Sequence, residues 1–369
     1  MKGLSKSADL VLGFFLLIGG ARLIADSTRP TTTPPKAGVL QNKILRFVRA
    51  RFGVPENVKL TVDAPRPANH PAFLQMTITA DDGKQKRPNS VLITKDYHYL
   101  ILGSTYPVTG DPRSEVTQRV REQFKFPAST VVTATDFHPS PYPNLLATTI
   151  TVDDGKHTQT QNFYLTKDQR CLVLGSIYDL GLDPRREALR IIRTDGQPGQ
   201  GSVSAPVTIV EFADLECPMC ARLHDFLESD LLPKYGDKVR IVYKEFPLLS
   251  IHEWTLTASL ACQCAYQMNP GSYVPLRSMI FKNQAGINGV NARDLMLSYG
   301  EQVGLDRLRL AACIDSKAPL PRIEADVKEG QALGISSTPT CFVNGKMVVG
   351  FPSPEAYYQA VNESLRAAK

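Results

Sequence analysis

Apolar residues at Leu40, Ile44, Phe47 and Val48 fall at helical spacing and predict a helix over Val39 to Phe52 with one buried face. Four short strands are expected after it, with Asp82-Gly83 as a hairpin turn. The same pattern then returns. Ile78-Thr79-Ala80-Asp81-Asp82-Gly83-Lys84 recurs 72 positions later as Ile150-Thr151-Val152-Asp153-Asp154-Gly155-Lys156. That offset also pairs Thr94-Lys95-Asp96 with Thr166-Lys167-Asp168, Leu102-Gly103-Ser104 with Leu174-Gly175-Ser176, and Asp111-Pro112-Arg113 with Asp183-Pro184-Arg185. A register this long without gaps means two copies of one structural unit, residues 39–113 and 114–193. Asp111-Pro112 and Asp183-Pro184 read as a helix N-cap and first helical residue, opening helices at Ser114 to Phe124 and Arg185 to Arg193.

Beyond the copies, residues 194–205 (TDGQPGQGSVSA) are rich in glycine and predict a flexible linker. The pattern over 206–369 then changes. An apolar run at Val207 to Phe212 predicts a strand, and a helical stretch from Ala221 to Leu231 follows. A second strand is expected at Val239 to Tyr243, then helices from about Ile251 to Ala332. A hairpin turning at Asn344-Gly345 and a last helix from Pro354 close the chain. A βαβ unit and a ββα unit with helices between them outline an α/β domain of thioredoxin type, preceded by two tandem α+β repeats.

At 369 residues and 43% hydrophobic, the chain is long enough for two or three domains with their own cores. Its net charge of +6 lies in the first 204 residues, the remainder being slightly acidic. Basic stretches such as Arg46 to Arg51 and Arg185 to Arg193 alternate with apolar residues at helical spacing, so they read as solvated helix faces and not as a nucleic-acid surface. Residues 1–25 carry Lys2 and Lys6 before an apolar core from Leu10 to Ala21, the form of a secretory signal or an uncleaved anchor. Residues 26–38 (Pro- and Thr-rich) are expected as an extended tether. The rest is then extracytoplasmic or periplasmic, where disulfides persist.

Cys217-Pro218-Met219-Cys220 lies between the predicted strand and helix. Cys217 is thereby set at a helix N-terminus, where free N–H groups and the helix dipole stabilise a thiolate. Cys220, three residues on along one face, is directed inward. Pro218 lacks an N–H, which costs nothing in a first turn. The alternative is half a zinc site, but there is no second Cys-x-x-Cys, and Cys262-Gln263-Cys264 has the wrong spacing. Seven cysteines divide into a redox pair, a structural pair and three others, of which Cys341 and Cys171 read as small apolar packers.

Val210-Glu211-Phe212, Cys-Pro-Met-Cys, Phe246-Pro247-Leu248, Ser337-Thr338-Pro339-Thr340 and Phe342-Val343-Asn344-Gly345 fall in the order of the DsbA-like bacterial thiol–disulfide oxidoreductases, which Pro206 to Leu365 resembles throughout. Val91 to Gly110 and Phe163 to Gly181 resemble, over a shorter span, the cystatin-like N-terminal module of the periplasmic disulfide isomerase. The first resemblance implies that Cys217 is the exposed attacking sulfur and Cys220 the resolving one. It implies a cis-proline turn at Thr338-Pro339 that offers its backbone to an extended substrate. Glu211 matches a buried carboxylate that moves protons under the resolving cysteine, against the plain alternative of a solvated strand residue. Cys264 and Cys313 match a structural disulfide, with Cys262–Cys313 as the other pairing. His252 and Trp254 match a family habit for which the sequence offers no chemistry.

The expected function is thiol–disulfide exchange on unfolded or misfolded secreted proteins, with a membrane thiol oxidase or reductase as redox partner and no metal or organic cofactor. Met219 stands where strong oxidases carry histidine, which leaves the direction open between oxidase, isomerase and reductase. A competing expectation is a thiol-delivery binding protein in which the repeats hold the substrate. The two copies could pair with each other in a monomer, or join two chains in a homodimer.

Overall fold

The computed structural model describes residues 38–153, 155 and 158–367. The expected signal, almost all of the tether and Asp154 of the second turn lie outside them. The chain divides into two compact units, one of residues up to Phe47 with Glu56–Leu182, the other of Val48–Pro55 with residues from Asp183 on.

The first unit holds the start of α1 (Val39–Phe52), up to Phe47, and then builds β1 (Lys59–Val62), β2 (Arg66–Pro67), β3 (Phe73–Asp81), β4 (Lys86–Thr94) and β5 (Tyr99–Pro107). The second copy repeats this order as α2 (Pro112–Phe124), β6 (Val131–Ala134), β7 (His138–Pro139), β8 (Leu145–Asp153), β9 (Thr158–Thr166) and β10 (Cys171–Asp179). Each copy therefore has five strands, one of them only two residues long, in place of the four expected. The Asp111 carboxylate caps α2 by accepting from Ser114 N at 2.8 Å.

All ten strands form one antiparallel sheet in the order β1-β3-β4-β5-β10-β9-β8-β6, with β2 on β3 and β7 on β8. The order is a palindrome of the two copies, which meet through β5 and β10 over nine residue pairs. Gly103 faces Gly175, its own counterpart 72 positions on, so a local two-fold passes through that pair. A Cβ on Gly103 would stand 2.2 Å from Leu174 O, and one on Gly175 2.2 Å from Leu102 O. Glycine at both positions lets the two edge strands close on each other and removes two open edges. The strands alternate as a sheet buried on both faces requires: Leu172 and Leu174 pack with Phe163 and Val116 of α2, while Cys171 and Val173 pack with Tyr99 and Tyr142.

In the second unit, α3 (Pro184–Ile191) precedes β11 (Gly199–Gln200), β12 (Val207–Ala213) and α4 (Pro218–Phe226). A π-helical turn at Leu227–Leu231 carries α4 into α5 (Leu232–Tyr235), and β13 (Val239–Glu245) follows. The helices α6 (Thr255–Met268), α7 (Tyr273–Lys282), α8 (Ala292–Gln302), α9 (Arg307–Asp315) and α10 (Leu320–Ala332) stand before β14 (Thr340–Val343), β15 (Lys346–Val349) and α11 (Pro354–Ala367). The sheet order is β11-β13-β12-β14-β15, with β12 and β13 parallel and the other neighbours antiparallel. Asn344 and Gly345 both take positive φ and close the β14–β15 hairpin.

One expectation is corrected here. The 194–205 stretch is not a free linker, because β11 pairs with β13. Its glycines serve close approach: a Cβ on Gly199 would stand 2.4 Å from Ile241 O and one on Gly201 2.5 Å from Val239 O.

Candidate active site

β12 ends at the sheet's centre, and the chain turns through Asp214–Glu216 into α4 with Cys217 as N-cap. The turn is held by charge and hydrogen bonds. The fully buried Asp214 carboxylate accepts from Glu216 N at 2.8 Å and from Leu248 N at 2.6 Å, and lies 2.8 Å from His252 Nδ1. Glu216 accepts from Trp254 N at 2.8 Å. Gln284 Nε2 donates to Leu215 O at 2.7 Å and to Cys217 O at 3.2 Å. His252 and Trp254 thus acquire a role that the sequence did not supply: they anchor the turn from which the cysteines project.

Cys217 and Cys220 are both unbridged thiols. The Cys217 thiol is drawn down to about 6, first by the hydrogen bond from Cys220 and then by the backbone N–H groups of Cys220 and Met219 at the helix mouth, against the opposing effect of burial. Cys220 moves the other way, pushed well up by complete burial, by its bond to Cys217 and by the charge of Glu211. One sulfur is poised as a thiolate and the other holds its proton. Cys217 is less exposed than expected for an attacking sulfur, at only 9%. The Thr338–Pro339 turn covers it, with Thr338 O 3.5 Å from the sulfur and a cis peptide between the two residues. Met219 lies one residue further into α4 and its sulfur accepts from Arg222 at 3.0 Å.

Beneath the pair lies a run of buried charge. Glu211 is fully buried, so the solvated alternative does not hold. Its Oε2 accepts from Arg277 Nη2 at 3.0 Å, while Oε1 has no hydrogen-bond partner. Arg277 reaches Tyr273 at 3.4 Å and its guanidinium lies 4.7 Å from the Tyr243 ring centre. Tyr273 in turn donates to Glu245 at 2.7 Å, and Ser259 donates to the same carboxylate at 2.9 Å. Burial pushes both Glu211 and Glu245 upward, against the pull of Arg277. Two carboxyls share one guanidinium, and full ionisation of both would leave an unbalanced buried charge. Glu245 is met by donors on both oxygens, whereas Glu211 keeps one oxygen, Oε1, without a partner.

Cys264 and Cys313 are joined in a disulfide, with Cα atoms 6.0 Å apart. Cys262, Cys341 and Cys171 are buried free thiols. Cys341 faces Glu211 across the β12–β14 ladder. Among the described residues no group of three or more His, Cys, Asp or Glu could hold a metal ion. Asp214, Glu216, Arg277, Glu245 and Gln284 escaped the sequence reading; they come from the β12–α4 turn, α7, β13 and the turn after α7, and carry no local motif.

Residues 193–363 match the thioredoxin family model. That span holds both cysteines and the Thr338–Pro339 turn. Among curated relatives, the Na(+)/H(+) antiporter NhaA 3 of Salinispora tropica is 29% identical over 188 residues, 51% of this chain and 26% of that one. The Na(+)/H(+) antiporter NhaA of Herminiimonas arsenicoxydans is 32% identical over 151 residues, 41% of this chain and 23% of the other. The chain therefore spans about a quarter of the length of the curated relatives it matches. Among the described residues no helix is long and apolar enough to cross a membrane.

Two solved structures give partial likenesses. Oxidised BdbD from Bacillus subtilis is 22% identical with a TM-score of 0.44, covering 47% of this chain and 95% of that one. A thioredoxin-like oxidoreductase from Silicibacter pomeroyi is 27% identical with a TM-score of 0.41, covering 49% and 98%.

Proposed function

We propose that the protein is an extracytoplasmic thiol–disulfide oxidoreductase acting on the thiols of unfolded or misfolded secreted proteins through Cys217 and Cys220. The observation that carries this is the opposed state of two neighbouring sulfurs, Cys217 held down to about 6 and Cys220 pushed well up. In the oxidising direction, a substrate thiolate attacks Cys217 of the bridged pair, breaks the Cys217–Cys220 bond and releases Cys220 as a thiolate that takes up a proton. A second substrate thiolate then attacks the mixed disulfide. The substrate leaves with its own disulfide, having given two electrons to the pair, and Cys217 leaves as the stabilised thiolate. Glu211, with a bare carboxyl oxygen beneath the pair, supplies and recovers the proton at Cys220. Thr338 and Pro339 present backbone to the extended substrate. Stabilising the Cys217 thiolate favours the reduced pair and therefore disulfide donation.

The two repeats are read as the substrate-holding part, cystatin-like in form. Their pairing through β5 and β10 within one chain supports a monomer. A membrane thiol oxidase would return the reduced pair to the disulfide.

The test is oxidative refolding of a reduced, unfolded ribonuclease, read beside the reduction potential of the pair. Cys217→Ser is expected to abolish turnover, whereas Cys171→Ser keeps it. A Cys217→Ser protein that still formed disulfides at the original rate would overturn the proposal.

A further inference from the structure

The local two-fold of the first unit gives each side chain a counterpart, and at one place the two copies differ in bulk. In the β5 copy, position 99 is tyrosine, and the ring of Tyr142 packs on it edge to face at 5.3 Å. Tyr142 also meets Tyr164 at 5.3 Å, and its hydroxyl donates to Ile177 O at 3.3 Å. Three rings fill that corner of the sheet, and Tyr99 and Tyr142 are both buried. At the symmetric corner the counterpart of Tyr99 is Cys171 and that of Tyr142 is His70, both smaller. There the fold leaves a cavity of about 300 Å³ lined by His70, Tyr106, Pro107, Asp168, Arg170 and Cys171, among others.

The cavity wall is held in place. His70 Nε2 lies 3.1 Å from Asp168 Oδ2, and Ala72 N donates to His70 Nδ1 at 3.2 Å, so both ring nitrogens are engaged. Asp168 is fixed in turn by Thr166 Oγ1 at 2.5 Å and by Arg170 N at 3.2 Å. This rules out a Cys–His nucleophile. His70 has no free nitrogen to take a proton, and burial followed by the charge of Asp168 pushes the Cys171 thiol up to about 11. What remains is a recess with an apolar sulfur at its base, proline and tyrosine walls and a polar rim. Such a surface suits a flat ring carrying at most one hydroxyl.

We propose that this cavity takes an aromatic side chain, Tyr or Phe, of an extended polypeptide substrate, in the place that the ring of the chain's own Tyr99 fills in the other copy. The occupied corner shows that this framework packs a ring at position 99 against the residue at 142, and the corner at Cys171 lacks the ring that Tyr99 supplies. The choice of a polypeptide over a free phenol rests on the reading of the protein as one that acts on protein thiols.

The test uses the full chain and a short cysteine-free peptide with one Tyr, beside the same peptide with Ala and beside p-cresol. Because no probe carries a thiol, the result is separate from the redox reading, which Cys217→Ser decides. The Tyr peptide is expected to bind about tenfold or more tightly than either control, since only it buries a ring while its backbone engages the rim. It is also expected to shift the His70 ring resonances, assigned with His70→Gln. Cys171→Tyr and His70→Tyr rebuild the filled corner, and each should erase the preference for Tyr over Ala. Equal binding of the Tyr and Ala peptides, p-cresol matching the Tyr peptide, or unmoved His70 signals in the unaltered chain would overturn the proposal. Should the filling variants fail to fold, the His70 signals and the three probes decide it alone.

Discussion

The two units bury very different things. In the repeat unit the buried polar side chains among the described residues are Thr130, Thr148 and Thr166, and rings and aliphatics make up the rest of its core. The redox unit buries Glu211, Asp214, His224, Lys244, Glu245, Arg277 and Asp326, several without any exposure. Burying charge is expensive unless it is paired, and well-packed apolar residues often serve stability as well or better. The repeat unit follows the cheaper course. Part of the redox unit's buried charge lies under and beside the cysteines, Glu211 and Arg277 below Cys220 and Asp214 behind the turn, while Lys244 and Asp326 pair with each other at 2.9 Å. The contrast separates a packing surface from a region where proton occupancy matters.

The sharpest way to break this comparison is to remove the shared cation. Arg277→Leu strands Glu211 and Glu245, and should cost about 3–5 kcal/mol at neutral pH in a urea melt. Both carboxyls already have raised pKa values in the fold, so their protonated forms favour it, and the deficit should shrink as pH falls through those values. A deficit independent of pH would show that the two carboxyls carry no such proton.

A smaller effect is expected in the repeat unit. Gly175 has φ of 156°, and a Cβ there would meet Leu102 O and Gly103 Cα. Gly175→Ala should therefore destabilise the β5–β10 seam by roughly 2 kcal/mol, without a pH dependence of the kind expected for Arg277→Leu. Hydrogen exchange on the β5 and β10 amides would read it; unchanged protection would mean that the seam yields without strain.

The mildest perturbation is pH itself. Alkylation of Cys217 should follow its thiolate, level above about 6 and falling about tenfold for each pH unit below it. A Cys217 that alkylates with a midpoint near 9 would erase the difference between the two sulfurs.

Much of this contrast was legible in the sequence, and unevenly. The 72-residue repeat, the caps at Asp111 and Asp183 and the Asn344-Gly345 hairpin were readable because each depends on residues within a turn or a strand of one another. Cys217 and Cys220 were readable for the same reason. The ends of the site were not. Arg277 is 66 residues from Glu211, and His252 is 38 from Asp214. A buried arginine on a helix has the same local pattern as an exposed one, and only packing tells them apart. The linker misled because its glycines, which suggest flexibility along the chain, serve close approach to β13.

By itself, the sequence displayed the repeated pattern and the Cys-x-x-Cys motif, since periodicity, turn chemistry and a four-residue motif are properties of near neighbours. Tertiary structure decided how those sulfurs differ, because the covering turn at Thr338–Pro339 and the Arg277 that holds Glu211 come from far along the chain. It also decided that the copies pair through Gly103 and Gly175, and that the corner at Cys171 stays open where its twin is filled by Tyr99. A duplicated sequence reports that two units are alike; only their packing reveals which of the matching places holds a ring and which has room for one.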